Sequence, residues 1–154
     1  MSSFDITKMD LKNTHIEELF LVDEAALCFF YDSIERPGLS VEKVSFGSKS
    51  NPQNEKFLKL IERVHGGETT APNKIKALVL NRNSFFSFLE EAKSIPQRKI
   101  QVEDLAVTQS GKTNGPQTET STRIAVTKKI RIIGNICVLL FIELGSETSH
   151  FNID

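Results

Sequence analysis

The chain has no tryptophan, one tyrosine and only two cysteines in 154 residues. Two cysteines cannot staple a small secreted scaffold. Both lie inside apolar runs, "ALCFF" around Cys28 and "NICVLLF" around Cys137, and read as buried thiols acting as small hydrophobes. Histidine is scarce too. His15, His65 and His150 are far apart and no CxxC or HxxxH spacing occurs, so a zinc site has no support; no metal and no cofactor is expected. The most apolar stretch, "IRIIGNICVLLFIEL", has 15 residues and contains Arg131, Gly134 and Asn135, too short and too polar to cross a bilayer. The opening "MSSFDITKMD" has acids and no apolar block, unlike a secretory leader. The expectation is an intracellular protein, cytoplasmic or nuclear, with no membrane partner. There is no GxSxG elbow, and neither cysteine has the electropositive surroundings that activate a thiol. No nucleophile and base stand out, so the chain reads as a non-enzyme.

What is present is an ordinary globular composition, 39% apolar and 25% charged, with 11 phenylalanines. One domain spanning residues 1–154 is expected, long enough to bury a continuous core. The net charge of -1 conceals an uneven distribution. Residues 1–35 carry Asp5, Asp10, Glu17, Glu18, Asp23, Glu24, Asp32 and Glu35 against Lys8 and Lys12, a net -6. Residues 93–133 carry Lys93, Arg98, Lys99, Lys112, Arg123, Lys128, Lys129 and Arg131 against Glu103, Asp104 and Glu119, a net +5. Such a dipole either marks a partner surface or draws the two regions together in the fold.

Periodicity gives the elements. "HIEELFLV", "ALCFFYDSI" and, after a Pro37-Gly38 turn, "LSVEKVSF" read as strands. In "SNPQNEKFLKLIERVHGG", Phe57, Leu60, Ile61 and Val64 recur at helical spacing, with Asn51 as cap, Pro52 at the first position and Gly66-Gly67 as the stop. "KIKALVL" reads as a strand running into "NRNSFFSFLEEAKSIP", where Phe85, Phe88, Leu89 and Ala92 form an apolar stripe, Asn81 or Asn83 caps and Pro96 terminates. "KIQVEDLAV" is a further strand. The run from Thr108 to Ser121 has no apolar residue and is read as an exposed flexible loop. In "TRIAVTKKIRII-GN-ICVLLFIEL" a Gly134-Asn135 pair between two β-branched runs predicts a hairpin. Its second arm is apolar on both faces and is placed in the middle of a sheet or under a helix. No internal repeat of solenoid type is visible.

"AVTQSGKT", Ala106 to Thr113, matches the relaxed phosphate-loop pattern. Such a loop works because it joins a strand to a helix whose terminus meets the phosphates. After Thr113 comes Asn-Gly-Pro and a polar run without helical periodicity, and too little chain remains for further parallel units of that enzyme type. No nucleotide is expected.

The basic strand is the more suggestive feature. Alternation sets Arg123, Lys129 and Arg131 on one side, about 6.5–7 Å apart per two-residue step, with Lys128 beside them and Lys112 in the loop that enters the strand. That spacing is comparable to that of phosphates along a single nucleic-acid strand. The bland alternative is a solvated outer face that discourages edge-to-edge aggregation.

"KIKALVLNRNSFFSFLEEAKSI", residues 74–95, resembles the strand-then-helix segment of the single-stranded-DNA-binding transcriptional coactivator (positive cofactor) family, through Leu80, Asn81, Phe85 or Phe86, and Leu89. Two departures stand out: three strands are expected after this helix, whereas in the family the helix closes the domain, and the family's Trp is missing. The resemblance implies a curved antiparallel sheet, dimerisation through helices and backbone contacts from basic residues on the sheet. No site residue is carried over from it.

The fold expected is α+β, a mainly antiparallel sheet of about five to seven strands with two amphipathic helices, Pro52 to Val64 and Arg82 to Ser94, packed on one face. The function expected is non-enzymatic binding, with single-stranded nucleic acid as ligand and Arg123, Lys128, Lys129, Arg131 and Lys112 as contacts. The alternative is a protein-interaction or structural module, toxin-neutralising, viral accessory or assembly factor, that meets a protein partner or a second copy through an acidic N-terminal surface. For the phosphate-loop pattern the expected outcome is no magnesium-dependent ATP or GTP binding by equilibrium dialysis, and no difference between wild type and Lys112→Ala.

Overall fold

Strand β1 (Thr14–Asp23) ends on an aspartate, and that residue redirects the chain. The Asp23 carboxylate accepts the Ala26 amide at 2.9 Å, an N-cap that opens helix α1 (Glu24–Ser33). Leu27, Phe30 and Ile34 then fall on its buried side at the i, i+3, i+7 spacing of a helix. "ALCFFYDSI", read as a strand, is thus largely helix, because the cap and that spacing outweigh the β-like aromatic run. The chain is described here by a computed structural model covering residues 14–34, 38–67, 72–94, 99–111 and 121–154.

The pattern then repeats. Strand β2 (Leu39–Lys49) leads to helix α2 (Glu55–Gly66), and β3 (Lys74–Leu80) to helix α3 (Phe85–Glu91) and a 3-10 turn (Ala92–Ser94). Strands β4 (Lys99–Gln109) and β5 (Arg123–Gly134) come next, then a 3-10 helix (Ile136–Phe141) and two short strands, β6 (Ile142–Leu144) and β7 (His150–Ile153). Helix α2 is capped by Asn54, not Asn51, with Gly67 at φ 69 closing it. Helix α3 starts after Ser84, whose hydroxyl donates to the Asn81 carbonyl. The two expected helices begin about three residues later than their sequence patterns indicate, at Glu55 and Phe85, and among the described residues there are three α-helices rather than two. The Pro37 turn, the Pro96 stop and Lys112 lie outside the described residues.

All seven strands form one sheet in the order β1-β2-β3-β4-β5, with β6 and β7 sharing the outer edge of β5. Every pairing is parallel. The antiparallel α+β expectation is therefore corrected to α/β. Residues 74–94 contradict the sheet implied by the coactivator resemblance as well, since β3 lies parallel between β2 and β4. The cause of the misreading is physical. Parallel sheets are usually covered on both faces and read as continuous apolar runs. This one is covered on one face only, so β4 alternates buried and solvated residues as an antiparallel strand does.

The covered face is fixed by phenylalanine. Phe46 of β2 meets Phe57 of α2 at a ring-centroid distance of 4.6 Å, and Phe57 meets Phe88 of α3 at 5.8 Å. Phe86 continues to Phe141 of the 3-10 helix at 5.9 Å. Helix α1 joins the same layer through α2: Lys56 pairs with Asp32 at 2.8 Å and the Arg63 guanidinium stacks over Tyr31 at 5.0 Å. All helices therefore lie on one side, as right-handed crossovers between strands added at one edge require. The first five strands begin at 14, 39, 74, 99 and 123, a spacing within the roughly 20–45 residues of solenoid units. The repetition invisible in the sequence resides in topology; no residue pattern recurs with it.

The predicted hairpin does not form. Gly134 has φ 101, and a Cβ there would run into the Gln109 carbonyl oxygen. The next residue, Asn135, donates its amide to that carbonyl at 2.7 Å, and its side chain caps the 3-10 helix. The Gly-Asn pair is a helix entry here. The "ICVLLF" segment buries only Val138 fully and is no central strand. Of the expected loop 108–121, Thr108 and Gln109 belong to β4, as do the first four positions of the phosphate-loop pattern; residues 112–120 lie outside the described residues. Cys28 and Cys137 are free and half-buried against the core. Replacing Phe57, 1% exposed and in ring contact with both neighbours, by Ala is expected to cost about 3–5 kcal/mol in urea unfolding, with the denaturant slope unchanged.

Candidate interaction surface on the open face

The face opposite the helices carries polar side chains from every long strand. Glu18 of β1 reaches Lys76 of β3 at 2.6 Å, over the top of β2, and also accepts the Ser45 hydroxyl at 3.1 Å. Lys43 of β2 reaches over β3 to Glu103 of β4 at 3.8 Å, and Glu103 holds Lys128 of β5 at 3.0 Å. Neighbouring strands lie about 4.8 Å apart, so each strand-skipping pair needs a long lysine stem lying flat on the sheet. The Lys76 and Ser45 hydrogen bonds hold the Glu18 carboxyl below its ordinary range, and the Glu18 bond raises the Lys76 ammonium. For Glu103 burial opposes ionisation, but the hydrogen bond from Lys128 and the charges of Lys128 and Lys43 outweigh it and its pKa is lowered.

Beside this ladder lies a hollow of about 280 Å³. Ala77 and Ala106 provide its floor, and Asp104, Lys129, Arg131, His150 and Asn152 stand around it. It exists because two neighbouring strands place a methyl group where a larger side chain would fill the space. Asp104 is in register with Lys129, and its Oδ1 is buried with no hydrogen-bond partner among the described residues. A second depression, about 270 Å³, lies between the end of α2 and the strands, bordered by His65, Asn73, Gln101 and Glu147. Burial holds the His65 imidazole below its usual range.

The predicted basic residues are not one free stripe. The Arg123 guanidinium donates to the Leu140 carbonyl. Lys128 is paired with Glu103. Arg131 lies 3.7 Å from Asp154. Lys129 borders the hollow with no ion pair among the described residues. Lys129 and Arg131 are thus brought together with Asp104, whereas Arg123 sits at the opposite end of β5 near Glu143, and Lys112 lies outside the described residues. Glu103, Asp104, Ala77, Ala106, His150 and Asn152 were missed. The one signal for them was "VEDL", where two consecutive acids break the alternation; there the register passes from Val102↔Val126 to Asp104↔Lys129. The acidic first third is partly spent inside the fold, since Glu24 accepts the Asn54 amide and Asp32 holds Lys56.

Among the described residues no group of three His, Cys, Asp or Glu could hold a metal ion, and no helix is long and apolar enough to cross a membrane. Because the folded-state pKa of Glu103 is depressed, its contribution is present at neutral pH and is lost as pH falls through and below the usual glutamate range, about 4.3. Glu103→Gln is expected to lower stability by about 1 kcal/mol at pH 7, with the gap to wild type closing between about pH 5 and pH 3 in thermal melts. With the geometry established, comparison finds no protein-family model, no curated protein and no solved structure that matches the chain.

Proposed function

We propose that this protein is a non-enzymatic interaction module that binds a polypeptide partner across the open face of its sheet. The observation that carries the reading is the singly wound order of a wholly parallel sheet. In open α/β sheets ligands settle in the crevice where strand order reverses. This order never reverses, so it offers no such crevice. What it offers is a broad uncovered face, the kind of extended surface stacked strand-helix units use for partners. On this face the ion pairs orient charges of both signs, and the hollow over Ala77 and Ala106 suits one inserted side chain.

A second reading, single-stranded nucleic acid, is favoured by one observation: Lys129 and Arg131 stand together at the hollow. It is weakened by the carboxylates that meet Lys128 and Arg131. The two separate experimentally. Ala106→Arg fills the hollow while adding positive charge. For a polypeptide partner captured from the source cells, it is expected to weaken binding at least about tenfold, a loss of roughly 1.4 kcal/mol, with an unchanged melting temperature, whereas Glu62→Arg on the exposed back of α2 leaves binding intact. Oligonucleotide binding that falls steeply with salt, and vanishes in the triple Arg123/Lys129/Arg131 to Ala variant, would replace this reading with the second.

A further inference from the structure

The strand register lines up one row of side chains across the open face: Phe20, Ser45, Ala77, Asp104, Lys129 and His150, one each from β1 to β5 and from β7. The next row holds Val79, Ala106, Arg131 and Asn152, and alternation sets Val22 on the same side of β1 as Phe20. Large side chains stand at the margins of these rows and small ones between. The result is a trough. Phe20 and Val22 form its wall on β1, Lys129 and Arg131 its wall on β5, and the hollow over Ala77 and Ala106 lies in its floor. The ion pairs of Glu18 with Lys76, and of Glu103 with Lys43 and Lys128, stand across the end nearer the strand starts. Phe20 is 57% exposed and Val22 47%, apolar surface beside a methyl-floored hollow of the kind a partner covers.

The dimensions and the backbone select what fits. The floor strands β2 to β4 cover two strand spacings, about 10 Å, and the walls rise about 19 Å apart on β1 and β5; an α-helix with its side chains is about 10–12 Å across. The backbone hydrogen bonds of β2, β3 and β4 lie in the plane of the sheet and join neighbours on both sides. An extended segment laid on this face would bury N–H and C=O groups with nothing to meet them. A helix brings its own partners. From Ala77 to the end of β3 at Leu80 the floor runs about 10 Å, which matches two helical turns.

Charge sets which flank of such a helix faces which wall. Residues 14–34, which hold the β1 wall, carry Glu17, Glu18, Asp23, Glu24 and Asp32 with no Lys or Arg. The β5 wall carries Lys129, which has no ion pair among the described residues, and Arg131 at 3.7 Å from Asp154. A carboxylate is repelled at the first wall and received at the second. We infer that the polypeptide held on the open face is an amphipathic helix lying along the trough, with its apolar stripe on Ala77, Ala106 and Phe20 and an acidic flank towards Lys129. This rests on the polypeptide reading of the open face and adds the conformation and charge of the partner.

The probe is a set of peptides of about 16 residues, long enough to fold as a helix on contact, selected on the wild-type chain from a randomised phage-displayed library. Binding is followed by fluorescence anisotropy and peptide conformation by circular dichroism. Bound peptides are expected to gain helical signal and to share apolar residues at i, i+3 or i+4, and i+7 with Asp or Glu on one flank. A central proline in the peptide, or Ala106→Arg or Phe20→Ser in the protein, is expected to weaken binding at least about tenfold. Lys129→Glu weakens it as well, and replacing the peptide's acid by lysine restores it. If circular dichroism shows that Lys129→Glu does not fold, Lys129→Gln serves in its place, and the peptide's acid then ceases to matter. If peptides lost with Ala106→Arg gain no helical signal and tolerate the proline, or if neither Lys129 variant changes the preference for an acid, the inference is overturned while the polypeptide reading stands. If no library peptide binds, or if binding is indifferent to Ala106→Arg, both fall.

Discussion

Phe57 sits between Phe46 and Phe88, and the arrangement depends on that contact between layers. A parallel strand pair forces the chain to travel back along the sheet before each new strand, and sequential strand order forces every return onto the same side. The ring of Phe57 touches the sheet below and the next helix beside it, so one side chain secures both the depth of the helical layer and the spacing of two returns. Buried Phe46, Phe57, Phe85, Phe86 and Phe88, in a chain with no tryptophan, suit this layer, because Phe fills a gap between helix and sheet with no polar atom to satisfy.

A one-sided core leaves the other side of a parallel sheet in water, and the side chains there keep that stable. The pairs Glu18–Lys76 and Lys43–Glu103 each span a strand, laying lysine methylenes over the backbone while the heads stay wet. This is how charged stems shield a sheet that lacks a second helical layer. The same ladder leaves Asp104 as its exception. Its buried Oδ1 has no donor among the described residues, a cost of about 1–3 kcal/mol that any ligand supplying an N–H or O–H at the hollow would relieve.

Much of the local structure was legible. The stripe Phe57, Leu60, Ile61 and Val64 is the buried face of α2, and Ile124, Val126, Ile130 and Ile132 are the buried face of β5. What failed was everything requiring knowledge of the second face. Alternation in β4 reports one wet side and is silent on the direction of the neighbouring strand. The Gly134-Asn135 dipeptide satisfies both a tight turn and a helix entry, and only the Gln109 carbonyl pressed against Gly134 decides between them. Of the candidate site, β5 supplied Lys129 and Arg131, but the alanines that make the hollow are ordinary in sequence. A cavity is defined by what is missing from two strands at once, and a linear pattern does not record it.

The sequential order also sets how the molecule comes apart. Among the described residues every ladder joins strands adjacent in sequence order except that β7 returns past β6 to β5, and opening need not be all-or-none. β6 and β7 each have one short ladder to lose, whereas β4 has two, including the long one to β5, and packs against α3. Amide protons in β4 are expected to be the last to meet solvent, with the protein unravelling inward from its margins, one layer of the stack at a time.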